Sequence, residues 1–108
     1  MSLTPKVRIP DTVKKGVVFT VKVMVKHPME TGRRIDAETG KPIPRFIIKK
    51  FVCEYNGKTV IKAEMFPAVA ANPYFSFHLK GIESGIIKLT WTEDNEETTE
   101  ASHNITVT

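Results

Sequence analysis

Between Val17 and Lys26 the chain alternates in a way that only a β-strand can use. Phe19, Val21, Val23 and Val25 share one face, and Val18, Thr20, Lys22, Met24 and Lys26 share the other. A repeat of two residues is the signature of a half-buried strand, because successive side chains point to opposite faces. The second face keeps Val18 and Met24, so it predicts some cover beyond solvent. Pro28 then stops the ladder, having no backbone donor and a fixed φ. About eighteen residues pass before the next apolar run starts at Phe46, and a connection of that length without regular structure usually carries function.

The same reading repeats along the chain, with almost no helix signal. Lys6 to Ile9 predicts a short strand closed by Pro10 and Asp11. Phe46–Tyr55 and Lys58–Phe66 flank Asn56-Gly57, the strongest short-range signal for a hairpin, since both turn positions need positive φ. In the returning strand Thr59, Ile61, Ala63 and Met65 share a face. Tyr74–Lys80 points Phe75, Phe77 and Leu79 inward, and Ile86–Glu93 does the same with Ile87, Leu89 and Trp91. Thr98–Thr108 completes a last hairpin with Ala101, Ile105 and Val107 in phase. Strands of this length and spacing predict an all-β fold, an immunoglobulin-like β-sandwich of about seven antiparallel strands. Trp91 is its expected core anchor. At 108 residues the chain reads as a single domain, 1–108.

An apolar share of 41% with 26% charged residues fits a globular chain with one core. No window approaches the roughly eighteen apolar residues of a membrane span. Met1 to Pro10 lacks an apolar signal region, so the chain is expected to carry no secretory signal of its own. Residues 1–50 hold 12 basic and 4 acidic side chains, and residues 51–108 hold 4 and 8. That asymmetry fits an oppositely charged partner, yet sandwich strands from both halves interleave and can cancel it. The basic residues are too scattered to argue nucleic-acid binding.

Chemistry is hard to find. The single cysteine, Cys53, sits in the strand-like run FIIKKFVCEY, where burial would make it an inert small hydrophobe. Neither a disulfide framework nor a multi-cysteine zinc site can be built from it. His27, His78 and His103 are far apart and share no ligand spacing, and an outward histidine on a strand is more often a solvated polar residue. No nucleophile elbow, P-loop or dinucleotide fingerprint occurs. The expectation is a protein that is not an enzyme, with no metal and no cofactor. HPMETG, His27 to Gly32, has two readings that the residues alone leave open: a turn that merely ends a strand, or a rigid recognition loop at one end of a sandwich. The charge-free connection FPAVAANPYF, Phe66 to Phe75, either folds over the core edge or lies under another protein.

Three strings carry a resemblance. HPMETGRR.D..TGK.IP..FI, then NGK.V..AE..PAVA.NP..SF..KG, and a late L.W, together resemble the SoxZ family of the bacterial thiosulfate-oxidising system, from about Val17 to Trp91. The resemblance implies a non-catalytic subunit of a SoxYZ sulfur-carrier complex. Its SoxY partner would bear sulfur intermediates on a cysteine of a flexible Gly-rich tail, and other pathway enzymes would dock transiently. It further implies a periplasmic location, reached by export with a signal-bearing partner. Neither nucleic acid nor membrane is expected as a partner. The expected partner contacts are Val18, Met24, His27, Pro28, Met29, Glu30, Thr31, Gly32, Phe66, Pro67, Val69, Asn72 and Pro73. Two other function classes stand beside this one: a generic sandwich module that self-associates as a homodimer, and a thiol enzyme using Cys53 with His27 or His78.

Overall fold

A computed structural model describes residues 4–27, 29–65 and 73–108. Among them there is no helix, and eight strands form two sheets. β1 (Pro5–Arg8), β3 (Val18–Val25) and β6 (Tyr74–Lys80) make a three-stranded sheet in the order β1-β3-β6. β2 (Thr12–Val13), β4 (Ile48–Tyr55), β5 (Lys58–Glu64), β7 (Gly85–Glu93) and β8 (Thr98–Val107) make a five-stranded one in the order β2-β8-β7-β4-β5. The expected all-β, immunoglobulin-like sandwich is therefore the observed fold, with eight strands where the sequence predicts about seven. The additional strand is β2, two residues in a stretch that reads as polar loop, and it pairs with β8 in parallel. All other strand pairs are antiparallel.

The alternation decides which side chains meet. Phe19, Val21, Val23 and Val25 are buried on the inner face of β3, and Phe51, Cys53, Ile87, Leu89 and Trp91 on the inner faces of β4 and β7. Phe51 pairs directly with Trp91 across the sheet, with ring centroids 5.3 Å apart. From the opposite sheet Phe75 stacks on Phe51 at 5.0 Å and Phe77 tilts against it at 6.1 Å. One aromatic cluster thus joins the two layers. Such ring pairs add to the burial of apolar area that drives folding.

At the other end of the core the Asn-Gly turn forms as expected, with φ of 49° at Asn56 and 82° at Gly57. Its asparagine has a second task that no local pattern announces. The Asn56 side-chain oxygen accepts a hydrogen bond from the Ile86 N–H at 2.9 Å, and its amide donates to the Ser84 carbonyl at 3.3 Å. The side chain occupies the space where Gly85 has no Cβ. Tyr55 donates its hydroxyl to the Glu83 carbonyl at 2.5 Å, fastening the same corner.

Candidate functional site

The long connection after β3 is a paired arm and not a structureless loop. Glu30 and Phe46 exchange backbone hydrogen bonds of 2.9 Å in both directions. Farther out, Ile43 donates to the Arg34 carbonyl at 2.7 Å and Asp36 donates to that of Lys41 at 2.9 Å. Alternating hydrophobicity is missing here because the arm has no wide apolar face to bury, so pairing leaves no period-2 trace.

The base of this arm is built by His27 and Met29–Gly32. His27, expected as a partner contact, is 2% exposed. Its Nδ1 accepts the Met29 N–H at 3.0 Å, which assigns the ring proton to Nε2. Nε2–H then donates to Oε2 of Glu93 at 3.1 Å, and the ring stacks on Phe46 with centroids 5.4 Å apart. Glu93 is itself 3% exposed, and among the described residues its Oε1 meets no donor. Met29 holds a left-handed backbone, φ 51°, uncommon for a residue with a Cβ. Its buried side chain brings the sulfur to 3.3 Å from the Ile48 N–H. Gly32 also has positive φ, 85°, and a Cβ there would press within 3.3 Å of the Arg45 Cβ. These contacts give His27, Met29 and Gly32 a structural role as an anchor for the arm.

The neighbouring charges brace that anchor. Arg45 grips both carboxylate oxygens of Asp94 at 3.1 Å, and the Ile47 N–H donates to Oδ2 at 3.0 Å. Burial pushes the Asp94 carboxyl up, but these donors outweigh it and hold the group below its ordinary value. On the exposed side Arg34 bonds both oxygens of Glu30, and these bonds draw the Glu30 carboxyl down. Lys49 pairs with Glu96.

Cys53 is fully buried, and desolvation, helped by the charge of Glu54, pushes its thiol up to about 11. Only the thiolate is an effective nucleophile. Iodoacetamide at neutral pH should therefore leave the folded chain unlabelled and modify Cys53 once the chain is unfolded in urea. Mass spectrometry reads the difference, and rapid labelling of the folded protein would contradict the burial.

Among the described residues no group of three or more His, Cys, Asp or Glu side chains could hold a metal ion. The expected contact residues divide sharply. Val18 is 61% exposed and Met24 half-buried on the outer face of β3. Glu30, Thr31 and Gly32 are half-buried on the arm, while His27, Met29 and Pro73 lie in the interior. Pro28, Phe66, Pro67, Val69 and Asn72 lie outside the described residues, as does most of the FPAVAANPYF connection.

The sequence matches the family described as sulphur oxidation protein SoxZ over residues 7–104. The chain belongs to the SoxZ family. Sulfur oxidation is thus its setting, and the resemblance read from the three strings holds. No curated protein matches the chain. Similar solved structures include a superoxide reductase (neelaredoxin) from Ignicoccus hospitalis, with 22% identity, 97% of this chain and 80% of that one covered, and a TM-score of 0.70. The sulfur carrier protein SoxY from Chlorobium limicola gives 12% identity, 96% and 78% coverage and 0.65. A CARDB domain from Pyrococcus furiosus gives 16%, 98% and 94%, and 0.58. At these identities the likenesses show a shared sandwich fold.

The cations that surround Met24 and Val18 belong to no local motif. Lys6 and Arg8 lie on β1 beside Met24 and Lys22 of β3, and Lys80 of β6 lies beside Val18. The alternation phase of the three strands was the signal that could have placed them together.

Proposed function

We propose that this SoxZ-family chain is the non-catalytic subunit of a SoxYZ-type sulfur-carrier complex, binding a SoxY-type subunit whose tail cysteine carries the sulfur. Family membership across residues 7–104 is the observation that carries this reading. The sealed Cys53 supports the division of labour, because its thiol has neither the exposure nor the acidity that a carrier needs. Tethering the cargo to a partner's flexible tail raises its effective concentration at each enzyme, and the rigid sandwich supplies the platform. The contact is placed on Val18 and Met24, on the accessible part of Glu30–Gly32, and on the connection that ends at Pro73. His27 and Met29 act beneath that surface by holding the arm's shape. The complex works in the periplasm, exported with its signal-bearing partner.

Co-expression with a SoxY-type subunit should give one species on gel filtration with the mass of a heterodimer. Two separate monomers, or a homodimer of this chain beside free SoxY, would overturn the proposal.

A further inference from the structure

The outer faces of the two sheets differ in charge. On the three-stranded sheet Lys6, Arg8, Lys22 and Lys80 are all exposed, and β1, β3 and β6 contain no Asp or Glu at all. Arg8 and Lys22 are directly opposed across β1 and β3. Like charges in that position repel and weaken the pairing. None of the four meets a carboxylate among the described residues. The outer face of the five-stranded sheet is mixed, with Lys50, Lys62 and Lys88 among Glu54, Glu64 and Glu100, and Lys88 pairs with Glu100 at 3.2 Å. A shallow groove runs along the cationic face, lined by Lys6, Arg8, Lys22, Met24 and Tyr74. Tyr74 is 56% exposed there, and Val18 lies farther along the same face.

We infer that the β1-β3-β6 face docks an acidic protein surface, with Arg8 and Lys22 as its central cations and Tyr74 and Met24 as its apolar contacts. The charge decides the chemistry of the occupant. An uncompensated row of cations speeds encounter with carboxylates and rejects basic surfaces, while an exposed aromatic ring and a thioether supply area once contact is made. The naming of that acidic surface as belonging to the SoxY-type subunit rests on the function proposed above; the preference for carboxylates does not.

Two measurements separate these claims. The first is fluorescence anisotropy of a dye-labelled octaglutamate peptide with the isolated chain, for the unsubstituted protein, for Arg8→Glu/Lys22→Glu, and for Lys58→Glu/Lys62→Glu on β5. The reversal on β1 and β3 should weaken binding by about tenfold or more, the β5 reversal by less than about twofold, and added salt should weaken binding to the unsubstituted chain. Equal effects of the two reversals, or none, would overturn the inference, as would tighter binding to phosphatidylglycerol vesicles than to the peptide. Circular dichroism confirms that each variant folds. The second is the dissociation constant of the co-expressed heterodimer, which should rise in the same order. A heterodimer indifferent to both reversals would overturn the assignment of this face to SoxY. No heterodimer with the unsubstituted chain would overturn the proposed function, and the peptide arm would still decide the charge preference.

Discussion

Trp91→Ala should cost about 3–5 kcal/mol of stability, the range for removing a large aromatic from a packed core. The indole is fully buried and touches Phe51, which in turn stacks on Phe75 of the other sheet. Removing it opens a void between two rigid sheets, which cannot collapse as freely as a loop. Small domains hold only about 5–15 kcal/mol in total, so the loss removes a large fraction of the fold's stability. For a chain of this size Tm should fall by at least about 12 °C. Trp91→Phe should cost markedly less. It keeps a ring against Phe51 and deletes an indole N–H that has no partner among the described residues. Thermal unfolding followed by circular dichroism checks both, and equal losses for the two variants would show that ring packing is not what counts.

The second large effect belongs to the buried pair at the foot of the arm. His27→Ala should destabilise the chain by about 3–5 kcal/mol, as breaking a buried polar pair does when the remaining partner is left without compensation. The substitution strips Glu93 of its hydrogen bond from Nε2, leaves the Met29 N–H without its acceptor, and removes the ring that stacks on Phe46. Glu93→Ala should also destabilise, and the double variant should cost less than the two single losses together, since the pair is one interaction counted twice. Urea unfolding of the four proteins gives the coupling. Strict additivity would mean that His27 and Glu93 act independently.

The strand faces were legible because burial on one side imprints a two-residue period. Phe19 to Val25 on β3, Phe75 to Leu79 on β6 and Ile87 to Trp91 on β7 could be assigned from sequence for that reason, and Asn56-Gly57 announced its own turn. What stayed hidden depends on partners distant along the chain. Nothing around Thr12 marks it as a strand, because its pairing is supplied by Thr106. The burial of His27 stayed hidden because the carboxylate that accepts its hydrogen bond belongs to Glu93, 66 positions away. The arm carries no strand signal because backbone pairing alone, without an apolar face, leaves no mark on side-chain order. The cationic face was spread over three strands from both halves of the chain, so a count by halves blurred it.

Joining Thr12–Val13 to Thr106–Val107 has a kinetic consequence. Thr12 and Val13 must find partners far along the chain, Thr106 and Val107, before their ladder can form, and Thr108 adds a bond to the Val13 carbonyl at 3.0 Å. Such high contact order slows folding towards the millisecond-to-second range of all-β domains. It also leaves β2 without its ladder until β8 is in place, so closure of this edge of the five-stranded sheet waits for the last strand in chain order.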